Sequence, residues 1–278
     1  MISCPTVEKR IIRSHYDLGT LFYRILWGPH VHHGLWHADE SPQTAQLQLT
    51  KEMARLAGIR TGDAVIDIGC GMGGSSIWLS KELECRVTGV TISGVQRRWA
   101  ATSAALAGVG KRTKFIRTDA EQVEFDPQSF DVLWSIECTE HLFDKPKFFS
   151  KAAQWLKPGG KLAVCAWLSG HNEEDAETKR LVYEVCEGFY CPSLGTQKDY
   201  EGWFTDAGLK MVGTHIWTDQ VWKTWEICRD RVRKTGVRHL ARMLGQDHLI
   251  FIDRFDAILE AYKTHAMEYG CFIAEKPA

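Results

Sequence analysis

Nothing in this chain approaches the ~20 consecutive apolar residues of a membrane span, and neither sign of charge dominates. Its 278 residues carry 34 Lys and Arg against 35 Asp and Glu, a formal net charge of −1, which excludes bulk attraction to nucleic acid. No apolar leader is expected either. The opening MISCPTVEKRIIRSHYD sets charges where a secretory signal needs an apolar core, so a cytoplasmic location is expected. The cysteines lack pattern: there are nine, and the closest pair, Cys186 and Cys191, has four residues between it and no matching pair elsewhere. Neither a disulfide framework nor a zinc site is expected, and reduced thiols fit. Internal repeats and low-complexity stretches are absent too. What is present is 44% apolar and 25% charged residues, the balance of a soluble globular protein with room for one domain, or for a core with a modest second lobe.

Short apolar runs predict buried strands at 64–68 (AVIDI), 86–91 (RVTGVT), 114–117, 130–135 and 161–167. Between them, helical spacing covers 75–83, 93–107 and 145–156. This alternation predicts an α/β fold with a parallel sheet covered on both faces. A helix at 200–207 and strands at 211–216 and 269–275 follow, and Lys157-Pro158-Gly159-Gly160 reads as a turn leading straight into a strand. Two stretches stand outside the alternation. Residues 1–60 look helical at both ends of an aromatic-rich middle, with Gly58 as a C-cap. Residues 219–265 carry the helical sets Val221, Trp225, Cys228, Val232 and Ile252, Phe255, Leu259, Tyr262. Both are expected to form a lid over one end of the sheet. The expected division is therefore 1–60 lid segment, 61–218 core, 219–265 lid insertion and 266–278 last core strand.

The stretch VIDIGCGMGGSS (65–76) ends a strand and opens a helix, the context a nucleotide loop requires. Its glycines satisfy G-x-G-x-x-G (Gly69, Gly71, Gly74) and also G-x-G-x-G (Gly69, Gly71, Gly73), so neighbouring residues must decide the ligand. Asp67 beside the loop repels a pyrophosphate but suits a ligand bearing positive charge. S-adenosylmethionine carries an ammonium and a sulfonium and no phosphate, and its carboxylate suits the free amides at the helix start. The second strand ends in Gly89-Val90-Thr91, without the acid that NAD-binding chains place there for the ribose. Thr91 and Gln96 offer hydrogen bonds to ribose hydroxyls instead, and Asp119 is placed to accept from an adenine amino group. The expected cofactor is S-adenosylmethionine.

Taken in order, VIDIGCGMGGSS, VTGVTISGVQ, RTDAEQVEF, FDVLWSIECTEH and LKPGGKLAV resemble the class I S-adenosylmethionine-dependent methyltransferases over about residues 60–170. HYDLGTLFYRILWGPHVHHGLW (15–36), WSIECTEHLFDK and VCEGFYCPSLGTQKDY (185–200) extend the resemblance to the γ-tocopherol and sterol methyltransferase-like small-molecule enzymes. It implies a Rossmann-like sheet, mostly parallel with an antiparallel last strand, under a helical lid from the N-terminus and from the insertion before that strand. It also implies that Asp67, Gly69, Gly71 and Gly73 hold the methionine end, Thr91 and Gln96 the ribose, and Asp119 and Ala120 the adenine. Ser135 and Ile136 would lie under the sulfonium, with Tyr16, Gly34 and Trp36 closing over the cofactor. The chain is also similar to fatty-acid cyclopropane synthases. Their bicarbonate base is held partly by a cysteine in the N-terminal segment and a histidine after the fifth strand. Here those places read His32-His33-Gly34-Leu35 and Ala166-Trp167, so the ligands are missing.

Methyl transfer is an in-line displacement from a good leaving group, so the protein supplies alignment and exclusion of water, and a base only where the acceptor must lose a proton. His141, directly after the fourth strand, is the candidate base, against the plainer reading of a packing histidine. Glu137 and Glu140 are candidates to orient that ring or neutralise a cation, one of them facing the cofactor. His33, Phe189, Tyr190, Trp217, Trp222 and Trp225 are candidate walls of an apolar acceptor pocket. His30, His32, His33 and His37 do not have zinc spacing and Cys4 is the nearby thiol, so packing inside a lid is expected and no metal. Arg229, Arg231, Arg233, Lys234, Arg238 and Arg242 read as a solvated helix face, or as a contact for a membrane surface or an anionic group. The expected activity is S-adenosylmethionine-dependent methylation of a hydrophobic small molecule, aromatic or prenylated, at carbon, oxygen or nitrogen. A sterol-like or terpenoid alkene acceptor and a non-catalytic S-adenosylmethionine-binding protein are the alternatives.

Overall fold

A computed structural model describes residues 1–235 and 246–278. The alternation of buried runs and helical segments produces strands β2 (Ala64–Ile68), β3 (Arg86–Thr91), β4 (Thr113–Arg117), β5 (Phe130–Ile136) and β6 (Leu156–Ser169). With β8 (Lys210–Ile216) and β9 (Met267–Glu275) they form one sheet in the order β4-β3-β2-β5-β6-β9-β8, while β1 (Ile2–Ser3) and β7 (Ser193–Leu194) pair with each other apart from it. The pairs from β4 to β6 are parallel, and β9 runs antiparallel to both of its neighbours. Alternate residues of each strand enter opposite cores. Val65, Val132 and Ala163 face one cluster, while Ile66, Leu133 and Leu162 face the other. That double burial is why these strands read as continuous apolar runs instead of alternating ones.

On the second face, helix α5 (Lys145–Trp155) packs Phe148 and Phe149 against Tyr200 and Phe204 of α7 (Gln197–Asp206). On the first, α2 (Pro42–Ala57), capped by Ser41 and ended by Gly58 in the left-handed conformation, lays Leu49 and Met53 on the sheet. The turn expected at 157–160 is a bulge instead. Pairing jumps from Phe130↔Leu156 to Val132↔Lys161, so β6 starts five residues before the predicted strand. Gly159 and Gly160 in that bulge bond the backbone of Lys276.

The sequence reading had no helix at Ala176–Phe189, here α6, although its buried Leu181, Val182, Val185, Cys186 and Phe189 carry helical spacing. Helix α1 (Lys9–Leu26), the segment 27–41 and the helices Lys223–Thr235, Gln246–Asp253 and Phe255–Lys263 gather with α6 in the first core cluster. Strand order reverses between β2 and β5, which opens a crevice beyond their carboxyl ends. Among the described residues no helix is long and apolar enough to cross a membrane.

Candidate active site

Two loops leave the sheet at that crevice, 69–73 after β2 and 137–141 after β5. They border a cleft of about 750 Å³ whose walls include Gly69, Gly71, Thr91, Gln96, Asp119, Ala120 and Ile136, under a roof of Lys9, Ile12 and Tyr16 from α1. A smaller recess adjoins it, walled by Asp67, Gly71 and Gly74 at the start of α3 (Gly74–Glu82). Gly71 has φ +52°, and a Cβ built on it meets nothing nearer than a backbone oxygen at 3.9 Å. That space is open to the cleft. Gly69, at φ +79°, answers a different need, because its Cβ would land on the side chain of Cys138.

Thr91 donates to Gln96 Oε1 at 3.0 Å within the cleft wall. Asp119 accepts from Lys9 Nζ at 2.7 Å and from the Glu121 amide at 2.9 Å. Lys9 also reaches Glu121 at 2.5 Å. Asp67 is buried with Ser76 Oγ at 2.5 Å, and burial pushes its carboxyl up to about 7 despite that hydrogen bond. A buried carboxyl with one neutral partner is matched to a cationic group.

Beyond Tyr16 and His141 lies a second cavity, of about 510 Å³, walled by Tyr23, Trp27, Trp167, Phe189, Trp225 and Phe251 together with His33, Glu137 and Glu140. Tyr16 and His141 line both spaces. His141 Nδ1 stands 3.0 Å from the carbonyl of Tyr190, which can only accept, so Nδ1 carries the proton of the neutral ring. Nε2 is then the acceptor, and Tyr16 Oη donates to it at 2.8 Å. Burial holds the His141 imidazole down at about 4, and raises the Tyr16 phenol well above its usual value. Near neutral pH the pair is an uncharged base with a hydroxyl already aimed at it.

The two carboxyls beside it differ. Glu137 has φ +52°, strained for a residue with a side chain. It accepts from the His33 amide at 2.8 Å, from His33 Nδ1 at 3.0 Å and from Tyr269 Oη at 2.8 Å. Burial alone would raise its carboxyl, but the His33 ring and amide and the nearby His32 hold it at about 2. Glu140 accepts from the Trp167 amide at 2.5 Å while burial pushes it up to about 8. Among the described residues its Oε2 has no partner, nor has Trp167 Nε1, and both side chains line the cavity.

Several residues expected here lie elsewhere. Gly34 and Trp36 do not reach the cofactor cleft, because the Gly34 amide and Trp36 Nε1 both bond Thr224 Oγ1, at 2.9 and 3.0 Å. A Cβ on Gly34 would press on Ala45 at 2.6 Å, so this glycine serves the packing of the segment on α2. Gly73 packs against Ala100 and Phe115 instead of lining the cleft. Ser135 is buried inside the sheet with its hydroxyl on the Ile68 carbonyl. Trp217, beside His215, and Trp222, under Lys263, lie outside the acceptor cavity. Tyr190 contributes its carbonyl, while its ring packs on His15 at 4.8 Å.

Sequence reading missed Tyr23, Trp27, Trp167 and Phe251. Tyr16, Tyr23 and Trp27 share one helical face, and Trp167 stands at the carboxyl end of a strand, so a signal existed for three of them. Three of the four histidines pack, His30 meeting His32 at 3.2 Å and Trp225 Nε1 donating to His33 Nε2 at 2.7 Å, while His37 is exposed. Among the described residues no group of three His, Cys, Asp or Glu is arranged to hold a metal. Arg229 and Arg233 are ion-paired with Asp256 at 3.5 and 3.2 Å, and Arg238 and Arg242 lie outside the described residues.

Comparison with known proteins bears on this geometry. Residues 5–265 match the family of mycolic acid cyclopropane synthetases. The chain is 27% identical over 294 residues to the chloroplastic tocopherol O-methyltransferase of Arabidopsis thaliana, covering 99% of this chain and 84% of that one. It is 30% identical over 279 residues to the 27-O-demethylrifamycin SV methyltransferase of Amycolatopsis mediterranei, covering 98% of both. Its fold matches the cyclopropane synthase MmaA2 of Mycobacterium tuberculosis with a TM-score of 0.85 at 16% identity, over 98% of this chain and 99% of that one. Matched along nearly its whole length, the chain belongs to the mycolic acid cyclopropane synthetase family and is an S-adenosylmethionine-dependent methyltransferase.

Proposed function

We propose that the protein methylates a hydroxyl, most simply a phenolic one, on a hydrophobic small molecule bound in the aromatic cavity. The observation that carries this reading is the Tyr16–His141 pair, uncharged at neutral pH and bordering both the cleft and the cavity. The free cradle over Gly71 and the buried Asp67 carboxyl fit S-adenosylmethionine, which supplies an electrophilic methyl group on a positively charged sulfur. Asp67 would hold its ammonium, Thr91 and Gln96 its ribose, and Asp119, Ala120 and Ile136 its adenosine end. The α1 roof and the segment 31–33 would act as the lid.

In this reading the acceptor hydroxyl would donate to Tyr16 Oη, whose own proton would move to His141 Nε2 as the methyl carbon exchanges its bond to the departing sulfur for one to the acceptor oxygen. The Tyr190 carbonyl keeps the imidazolium in place once it forms, and Glu137 fixes His33 and Tyr269 in the cavity wall. The unpartnered Glu140 Oε2 and Trp167 Nε1 offer hydrogen bonds to a second oxygen of the acceptor. The names of the two curated relatives, a tocopherol and a demethylrifamycin methyltransferase, support a large apolar acceptor. The pocket's open volume argues against a non-catalytic binding protein, whose cavity would be filled by side chains. Unpaired cysteines, mostly buried, support a reducing compartment such as the cytoplasm.

A panel of phenols, prenylated quinols, amines and terpenoid alkenes with labelled cofactor tests the class. On a phenolic acceptor, His141→Ala and Tyr16→Phe should each lower turnover roughly 10²-fold or more at pH 7, with S-adenosylhomocysteine affinity nearly unchanged for His141→Ala. The deficit should shrink at high pH, where the acceptor ionises unaided. Because the His141 imidazole lies at about 4, turnover should show no loss from this base between pH 8 and about pH 5. Wild-type turnover in His141→Ala on a phenol rules out the base. A larger loss in Glu140→Gln than in His141→Ala moves the assignment to an alkene acceptor.

A further inference from the structure

Helix α1 has two apolar faces. Ile12, Tyr16 and Tyr23 turn inward to line the two cavities. On the opposite side Leu18, Leu21 and Ile25 are 54%, 61% and 71% exposed. At 3.6 residues per turn these three side chains fall within about 60° of arc, a continuous stripe along the helix. Isolated exposed leucines are ordinary, but a stripe at helical spacing is not. Its flank is cationic. The helix carries Lys9, Arg10, Arg13 and Arg24 against Asp17 and its N-cap Glu8, which pairs with Arg10, in a chain whose net charge is −1. Asp17 stands 3.8 Å from Arg13 and accepts from Ser93 Oγ and the Val95 amide at the start of α4 (Gly94–Leu106). Lys9 is committed to Asp119 and Glu121. Arg24, and Arg13 beside Asp17, are exposed on the flank of the stripe.

We propose that this outer face of α1 docks the enzyme on an anionic lipid bilayer. An apolar stripe sinks into the acyl boundary while flanking arginines meet the anionic headgroups, which is how an interfacial helix binds without spanning. The charge complementarity selects a negatively charged surface over a neutral one. The placement also has a consequence for the site. The helix that would lie on the bilayer roofs the cofactor cleft and walls the aromatic cavity, so a bilayer-dissolved acceptor arrives beside its pocket. This goes beyond the methylation chemistry proposed above and does not depend on which atom is methylated.

The test is co-sedimentation of the full chain with vesicles of phosphatidylcholine alone and of phosphatidylcholine mixed with phosphatidylglycerol. Binding to the mixed vesicles, weakened by salt and absent on phosphatidylcholine alone, is expected. The triple variant Leu18→Ser/Leu21→Ser/Ile25→Ser should lose vesicle affinity more than about tenfold, and Arg13→Gln/Arg24→Gln several-fold. Both should keep the wild-type melting temperature and S-adenosylhomocysteine affinity. Should the triple variant not fold, Ile25→Ser alone should still weaken binding measurably. Undiminished binding by the serine variants overturns the proposal, as does a wild-type protein that ignores both vesicle types. A wild-type dimer that the serine substitutions dissociate, with no vesicle binding, assigns the stripe to a second copy of the chain instead.

Discussion

At the scale of single residues, two glycines two positions apart in the same motif do different work, and mutation separates them. Gly71→Ala introduces a Cβ that meets no protein atom within 3.9 Å, so its folding cost is that of a left-handed alanine, about 1 kcal/mol. It should nevertheless cost most of the affinity for S-adenosylmethionine, because the Cβ takes ligand volume. Gly69→Ala puts its Cβ onto Cys138 and should lower the melting temperature several degrees more than Gly71→Ala does. Calorimetry and thermal melts on both variants check this, and near-native affinity in Gly71→Ala shows the loop to be misassigned. The same scale shows what sequence reasoning sees and what it misses. Asp67, Gly69 and Gly71 were legible because a strand-loop-helix junction confines them to one place. Gly34 and Trp36 were not, since whether a loop residue faces a cleft or Thr224 depends on a helix about 190 positions away.

At the scale of elements, α1 is fastened to the core at three points: Lys9 on Asp119 and Glu121, Tyr16 on His141, and Asp17 on Ser93 and Val95. The first of these lies at the end of the cleft proposed to hold the adenosine. The Lys9 pairs are partly exposed, so their contribution to global stability is small, but in the proposed reading they stand over the cofactor's way in. Lys9→Ala should therefore leave the melting temperature within a degree or two while raising hydrogen exchange in 9–16 and the rate of cofactor association. Stopped-flow binding and exchange mass spectrometry measure both, and unchanged association rates would show that the cofactor does not pass this fastening. The existence of α1 and α2 was readable from periodicity. The fastenings were not, because each joins residues that are 76 to 125 positions apart.

For the whole molecule, the buried ionisable groups link stability to pH in two opposite senses. The carboxyls of Asp67 and Glu140 are raised in the fold to about 7 and about 8, above their unfolded values. Their contribution is full below about pH 4 and is lost as pH rises through those raised values. His141 and His30 are lowered to about 4 and about 3. Their contribution is present above their unfolded value and is lost as pH falls through the lowered ones. The cofactor-free protein should accordingly lose melting temperature between about pH 6 and pH 9, and Asp67→Asn/Glu140→Gln should flatten that decline. Bound S-adenosylmethionine, with its ammonium beside Asp67, should reduce the loss and release protons on binding near pH 7. Calorimetry in buffers of different ionisation enthalpy counts those protons, and a count of zero removes Asp67 from the ammonium site.

The sequence by itself determined the sheet, its mostly parallel pairing, the glycine loop and the choice of cofactor. Those features rest on local pattern: β-branched runs, a loop between a strand and a helix, an acid present at Asp67 and absent at Thr91. Only the tertiary structure decided which aromatic side chains wall the acceptor cavity, why Trp167 and Trp27 do and Trp217 and Trp222 do not. It alone joined Tyr16 to His141 and separated Glu137, held at about 2, from Glu140, raised to about 8. The physical reason is that strand and helix formation answers to neighbours within a few residues. Cavity walls, proton positions and carboxyl ionisation answer instead to desolvation and hydrogen bonds supplied by distant segments, and those exist only once the chain has closed on itself.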